Sequence, residues 1–263
     1  MTTPAPLATK PLAGPLLFVR YAYPPNVLGY CGPADHQAFF QYGAAGVVDA
    51  GLVQLAQAFQ GAWPYLELIA GGNGIANPLD RRVVEAYWVG NGLLDALPLG
   101  TIADSMEQRF RPRVGSHFGF LAEGVLAGGV PHHSFHVFGV YPWVGLLGDD
   151  RKAAKALTVL DRCRIRWGQV VSVDGDHAVV KSRHLEWDGR YLTLGEPEAE
   201  TVQCGNDGVG LALAKDDWVS MHWHWICDHI TARQLAALRA YTVHHLDLVN
   251  HRVTHPGTTA ALA

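Results

Sequence analysis

Residues 163–180 read Cys-Arg-Ile-Arg-Trp-Gly-Gln-Val-Val-Ser-Val-Asp-Gly-Asp-His-Ala-Val-Val, in which a thiol precedes two apolar runs that flank an Asp-Gly pair. Alternating apolar and polar residues are typical of a half-buried strand. The pair Asp174-Gly175 favours a tight type I′ turn, because both residue types accept a positive φ. These residues therefore predict a β-hairpin, with Cys163 at the entrance of its first strand.

Residues 218–225, Trp-Val-Ser-Met-His-Trp-His-Trp, predict a further strand, because bulky apolar residues alternate there with Ser and His. Side chains two residues apart share one face of a strand, so we expect His222 and His224 to lie on the same face. Thr231 and Gln234 then match the capping box at the start of a helix. Together these features predict a small antiparallel β-barrel followed by a C-terminal helix.

The order of these features resembles the HypC family of [NiFe]-hydrogenase maturation chaperones over residues 160–245. The shared pattern is Cys163 with Gly168 and Val170, then Asp-Gly-Asp, Ala-Val-Val, Trp-Val-Ser-Met-His and a capped helix. The resemblance implies an OB-like (HypC-like) barrel that holds an Fe(CN)2CO unit, with Cys163 and His222 as the ligands of the iron. It also implies a HypD-like maturation protein, or a hydrogenase large-subunit precursor, as the partner.

A thiolate and an imidazole suit this chemistry, because soft thiolates bind iron well and two protein ligands allow its release. Arg164 and Arg166 are expected to favour the thiolate and to attract an anionic iron unit. The alternative is structural, since a free cysteine is most often a small buried apolar residue. Trp223 and Trp225 likewise indicate that the strand carrying His222 also contributes to a core.

Two other sets of side chains offer metal ligands. His222 and His224, followed by Cys227 and His229, have the residue types of a zinc site. The second set lies in the N-terminal half and comprises Cys31, His36, His117, His132, His133 and His136. It would make the protein a metal-dependent enzyme, for example one that supplies a diatomic ligand of the iron. A third alternative is an interaction scaffold without metal, in which these histidines bond to backbone carbonyls.

The predicted fold class is α+β, with a mainly helical N-terminal domain. We expect a disordered arm at 1–14, the helical domain at 15–150, a linker helix at 151–162, the barrel with its C-terminal helix at 163–252, and a tail at 253–263. In the helical domain, Asn77 to Asp80 predicts a helix start, whereas Tyr21 to Asn26, with two prolines, predicts a turn.

Composition excludes several classes of protein. The 263 residues carry a formal net charge of −4, which argues against binding to nucleic acid. No uncharged apolar run reaches the roughly 18 residues of a membrane span. Four cysteines without an export signal favour reduced thiols and a cytoplasmic location. The aromatic residues of the helical domain suit an interface with a partner or with a second copy in a homo-oligomer.

Overall fold

A computed structural model of the chain describes residues 12–97, 100, 102, 104, 125–205 and 211–254. Up to residue 97 the chain is helical, with α1 at Gly14–Val27, α2 at His36–Ala45, α3 at Ala50–Gln57, α4 at Trp63–Gly72 and α5 at Arg81–Trp88. Helix α5 begins directly after the predicted start at Asn77 to Asp80, and its cap is Asp80, whose side chain accepts a hydrogen bond from the amide of Arg82 at 2.9 Å. The helical N-terminal region is therefore confirmed.

Helix α1 continues through residues for which a turn is predicted, and Pro24 and Pro25 lie inside it. Aromatic packing explains why the helix persists. Phe18 meets Phe59 edge to face at 5.3 Å, and Tyr21 stacks on a ring of α5. Burial of each such side chain contributes roughly 1.5–3 kcal/mol, so the buried apolar residues of α1 together offset the cost of about 3 kcal/mol for each proline within a helix. The prediction of a turn here is wrong.

A short helical turn at His133–Phe135 continues as a π-helical turn at His136–Val140, and a 3-10 turn follows at Val144–Leu146. Helix α6, Ala153–Cys163, then leads to the sheet. Cys163 is thus the last residue of a helix and not the first residue of a strand. Its thiol belongs to the buried stripe of that helix, in which Ala156, Val159, Leu160 and Cys163 recur at helical spacing.

Five strands form a mixed sheet that closes into a ring in the order β1-β2-β3-β5-β4. The strands are β1 at Arg166–Asp174, β2 at His177–Trp187, β3 at Leu192–Gln203, β4 at Trp218–His222 and β5 at Trp225–His229. Most neighbours are antiparallel, but β3 and β5 run parallel. The α+β class is therefore confirmed, whereas the expectation of a purely antiparallel sheet is wrong.

The hairpin between β1 and β2 forms one residue later than predicted. Asp174 pairs with His177, so the two turn residues are Gly175 and Asp176. Only Gly175 has a positive φ, at 59°, which is the pattern of a type II′ turn and not of type I′.

The predicted strand at 218–225 is two strands, because the chain turns at Trp223, whose φ is 56°. Three contacts hold this turn. The amide of Trp223 donates to the carbonyl of Arg162 at 2.8 Å, its carbonyl accepts from the Nη2 of Arg166 at 2.7 Å, and its ring stacks on Tyr30 at 4.2 Å. His222 therefore ends β4 in a buried position, while His224 is exposed in the turn. The expectation that the two share a face is wrong.

Helix α7, Ala232–Thr254, begins at the predicted capping box, with the amide of Thr231 bonded to Gln234 Oε1 at 2.9 Å and the amide of Gln234 to Thr231 Oγ1 at 3.3 Å. One apolar core joins the N-terminal helices to the sheet, since Trp167 and Cys227 pack in the same cluster as α1 and α5. No helix in the described part of the chain is long and apolar enough to cross a membrane.

Three sequence predictions fall on residues outside the described ones. They concern His117, most of the arm at 1–14, and the tail after residue 254. Gly14, the last residue of the predicted arm, is the first residue of α1.

Candidate metal centre

Three side chains from distant parts of the sequence meet between the helical region and the sheet. His133 comes from the short helical turn, Cys163 from the end of α6, and His222 from the end of β4. Their ligand atoms all lie within 4.8 Å of one another, and the three residues are 4%, 7% and 1% exposed. We call this group the metal centre, because two imidazoles and a thiol are ligands that Zn²⁺ and related ions accept.

His222 is already oriented as a ligand. Its Nδ1 lies 2.6 Å from the backbone carbonyl of Tyr21, which can only accept, so Nδ1 carries the proton. Its Nε2 is then an unprotonated nitrogen, and it is buried with no hydrogen-bond partner. Burial lowers the pKa of His222 to about 4, so the ring stays neutral near pH 7. A ligating histidine held by a backbone carbonyl is the usual arrangement around a bound metal.

His133 has partners at both ring nitrogens. Its Nε2 donates to the carbonyl of Cys163 at 2.8 Å, and its Nδ1 lies 3.1 Å from the hydroxyl of Tyr87. That hydroxyl has a second acceptor in the carbonyl of Gly61 at 2.9 Å. When the Tyr87 hydroxyl donates to Gly61, it either leaves Nδ1 of His133 free or, in the other tautomer of the ring, accepts a hydrogen bond from Nδ1–H. In each case one nitrogen of His133 becomes available. The ring of Trp88 lies beside that of His133, with 4.6 Å between the ring centroids and an angle of 52° between the planes.

Burial raises the pKa of the Cys163 thiol well above its usual range, so without a cation this group is neutral. A divalent ion binds the thiolate and releases the thiol proton, which is the normal coupling of metal binding to deprotonation. The residue set therefore fits an ion: two neutral imidazoles and one thiol that an ion can ionise.

A cavity of about 20 Å³ adjoins the metal centre, and Cys31 and His136 lie in its wall together with the three residues of the centre. This is room for about one water-sized group. His136 Nδ1 lies 3.4 Å from the hydroxyl of Tyr65, and its buried Nε2 has no partner. Burial lowers the pKa of His136 to about 4 and raises the pKa of the half-buried Cys31 to about 12.

The arginines next to Cys163 do not face the cavity as free cations. Arg164 is ion-paired with Asp161 at 2.9 Å, and Arg166 is ion-paired with Glu200. Burial alone would raise the pKa of Glu200, but Arg166 and its other hydrogen-bond partners bring it down to about 2. The predicted role of Arg164 and Arg166 in attracting an anionic iron unit is therefore wrong, because carboxylates already neutralise them.

The other predicted ligands lie elsewhere. His36 is exposed at the start of α2, His224 is exposed in the turn after β4, and His229 Nε2 bonds to the carbonyl of Ala212 at 3.0 Å. Cys227 is buried in β5. In the part of the chain that the structure describes, the metal centre is the only group of three such side chains, so the predicted zinc set does not form there.

His132 belongs to a separate group, which we call the serine cluster and which consists of His132, Ser134 and His245. The Ser134 hydroxyl lies 2.7 Å from the Nδ1 of each ring, and all three residues are buried. His245 lies on the last helix, and its side chain points into the protein and not to solvent. The Ser134 hydroxyl occupies the place between the rings that an ion would need.

The sequence indicates Cys163 and His222 from one pattern, and Cys31, His133 and His136 from another, as sites of rival functions. The structure brings all five to one cavity. Cys163 and His133 are 30 residues apart, and no local pattern records their contact. A family alignment with co-varying pairs is the kind of signal that would reveal it.

Comparison with known proteins gives one match. No curated protein and no solved structure matches this sequence. Residues 10–256 match the model of a family described as a family of unknown function, DUF6390. That match covers nearly the whole chain, including the helical region, the sheet and the five candidate ligands at the cavity. This protein therefore belongs to the family DUF6390.

Proposed function

We propose that this protein binds one thiophilic divalent transition-metal ion through His133, Cys163 and His222. The observation that carries the proposal is the convergence of these three buried side chains, whose ligand atoms all lie within 4.8 Å of one another, beside a buried His222 Nε2 that has no hydrogen-bond partner. A buried polar atom without a partner costs free energy. A metal ion at this point satisfies that nitrogen and ionises the neighbouring thiol.

The ligand set favours Zn²⁺, Fe²⁺ or Co²⁺ over Mg²⁺ or Ca²⁺, which prefer oxygen ligands. Three protein ligands leave one position of a tetrahedral ion open. The adjoining cavity gives that position room for a single small group. The protein would therefore hold an ion that can still exchange or bind one further ligand.

The HypC resemblance makes iron the candidate ion and assembly of a [NiFe]-hydrogenase metallocentre the candidate task. The strand order β1-β2-β3-β5-β4 supports an OB-like barrel, and four free thiols support a cytoplasmic location. A HypD-like protein or a large-subunit precursor would be the partner. An Fe(CN)2CO unit carries three diatomic groups, whereas the cavity has room for about one, so its delivery would require the cavity to open.

A metal-dependent enzyme is the second candidate. It is favoured by the presence of Cys31 and His136 in the same cavity. Side chains that do not bind the ion but lie beside its open coordination position suit chemistry on a small molecule. The two candidates share the metal centre and differ in whether the ion leaves with a partner.

The test is to purify the protein anaerobically and to measure bound metal per chain by mass spectrometry. We expect one ion in the wild type and in Cys227→Ser, a matched change at another buried cysteine, and less than about a tenth of this in Cys163→Ser. Infrared bands of iron-bound CN and CO would support the hydrogenase task, and one ion without them the enzyme. Equal metal in Cys163→Ser and wild type, including none in either, would contradict the proposal.

A further inference from the structure

We propose that Cys31 and His136 form a relay pair, through which the metal ion enters and leaves the metal centre. This inference rests on the proposed function, and it concerns the route of the ion, not its final ligands. The pair lies in the wall of the same cavity as the metal centre but outside the group whose ligand atoms are mutually within 4.8 Å. It can therefore hold the ion only before or after the centre does.

The metal centre itself is closed to solvent, since none of its three residues is more than 7% exposed. Cys31 is the only one of the four cysteines that is not buried. Its neighbours Leu28 and Tyr30 are 49% and 44% exposed, so this loop forms part of the outer surface. A cysteine that is only partly buried and that also lines the cavity is suited to capture a thiophilic ion, which displaces the thiol proton as it binds.

The loop places Cys31 by specific contacts. The buried side chain of Asn26 donates to the carbonyls of Cys31 and Pro33, at 2.9 and 2.7 Å. Gly32 has a φ of 89°, and a Cβ there would lie 2.4 Å from the ring of Phe59. Only glycine fits that position, so the loop is packed closely against α1 and the helical core and its thiol has a defined place.

His136 is the second member of the pair. It is 5% exposed, its Nε2 has no hydrogen-bond partner, and it faces Gly61, where a Cβ would come within 2.8 Å of that nitrogen. Because Gly61 has no side chain, the space next to His136 Nε2 at the cavity wall stays open. Its Nδ1 lies beside the hydroxyl of Tyr65, which can hold the ring in the tautomer that ligates through Nε2.

Transfer along this route is an exchange of ligands without redox change. The ion binds the Cys31 thiolate and His136, and the proton of Cys31 leaves to solvent. As the ion moves to the metal centre, Cys163 loses its proton and Cys31 takes one up, so loading releases one proton overall. The ion is never without a thiolate, which keeps the free energy of the intermediate low.

The test compares the rate and the extent of exchange. Zn²⁺-loaded wild type, Cys31→Ser, His136→Gln and the control Cys204→Ser are mixed with a colorimetric chelator, and binding at equilibrium is measured by dialysis. We expect one ion per chain in every protein, with release and uptake slowed by about tenfold or more in Cys31→Ser and His136→Gln only. Unchanged rates, or loss of the bound ion in Cys31→Ser, would overturn the relay pair, the latter because Cys31 would then be a resident ligand.

A second measurement uses the wild-type chain and so does not depend on the folding of a variant. The Zn²⁺-loaded protein is treated with iodoacetamide, and the modified cysteine is located by mass spectrometry. We expect Cys31, as the only cysteine that is not buried, to be alkylated before the other three, slowly because burial raises its pKa to about 12, and while the ion stays bound. The alkylated protein should release zinc to the chelator about tenfold more slowly. Release at the original rate would contradict the relay pair. Wild type that binds no zinc at all would contradict both this inference and the proposed function.

Discussion

The adjacent residues His132 and His133 lie in two groups with different chemistry. In the serine cluster, the hydroxyl of Ser134 bonds to His132 and His245 at 2.7 Å each, so a protein atom fills the space between the rings. In the metal centre, the corresponding space holds the thiol of Cys163 and an imidazole nitrogen without a partner. The difference shows that the number of histidines does not identify a metal site. Both groups contain a buried imidazole Nε2 without a hydrogen-bond partner, on His132 and on His222, and only the metal centre places a soft, ionisable thiol beside it.

The largest expected effect is a loss of stability at low pH, and it involves both groups. The serine cluster, the metal centre and the cavity wall together contain five buried histidines. Burial lowers the pKa of His222 and His136 to about 4, and that of His133 and His245 well below the ordinary value. The unfolded chain takes up these protons near pH 6.5, so stability is present above that pH and is lost as the pH falls toward 4.

The loss amounts to about 1.4 kcal/mol per pH unit for each such histidine. We expect the free energy of unfolding of the metal-free protein to fall by more than about 5 kcal/mol between pH 7.5 and pH 5. Urea denaturation at the two pH values measures it. Equal denaturation midpoints would mean that these imidazoles are solvated.

A pair of matched substitutions separates the two groups. We expect His222→Gln to weaken Co²⁺ binding by more than about 100-fold, because even partners of metal ligands contribute 10- to 100-fold. His245→Gln, at another buried histidine, should change the affinity by less than about threefold. Titration with Co²⁺, followed by its visible absorption, gives both affinities. Similar losses in the two variants would mean that the serine cluster also contributes to the ion.

Ser134→Ala tests the serine cluster alone. It leaves His132 and His245 without the hydroxyl between them, and an unsatisfied buried group costs about 1–3 kcal/mol. We expect a loss of stability of that size in urea denaturation, with the affinity for Co²⁺ unchanged. A new metal site in this variant would be informative too, because it would show that the hydroxyl alone keeps an ion out.

Tyr87→Phe has the smallest expected effect and acts on the metal centre indirectly. Phenylalanine keeps the ring beside His133 but removes the hydroxyl that allows this histidine to change its proton arrangement. We expect about a tenfold lower affinity for Co²⁺, with its thiolate absorption band retained. Tyr141→Phe, at a partly buried tyrosine of the same cavity wall, is the control. An unchanged affinity would show that His133 ligates without help from Tyr87.

Local sequence signals account for much of the fold. The capping box at Thr231 and the helix start that ends at Asp80 act over three or four residues, and a helix follows each of them. The errors occur where distant packing decides. Pro24 stays within a helix whose Phe18 and Tyr21 pack against aromatic rings from elsewhere in the helical region. Trp223 turns because two arginines and a tyrosine hold it.

The site could be predicted only in pieces. The sequence predicts Cys163 and His222 as ligands, and it places Cys163 at the entrance of a strand. In the structure Cys163 is the last residue of a helix, and its carbonyl bonds to His133. The sequence shows which side chains can bind a metal. It does not show which of them meet across separations of 30 and 59 residues along the chain, because that depends on how the helical region and the sheet pack.

X-ray absorption at the zinc edge of the Zn²⁺-loaded protein tests the central claim most directly. The metal centre predicts one sulfur at about 2.3 Å and two or three nitrogen or oxygen neighbours at about 2.0–2.1 Å, with the imidazole scattering pattern of two histidines. The sulfur should disappear in Cys163→Ser and remain in Cys227→Ser. A spectrum without sulfur in the wild type, or one that Cys163→Ser leaves unchanged, would contradict the account.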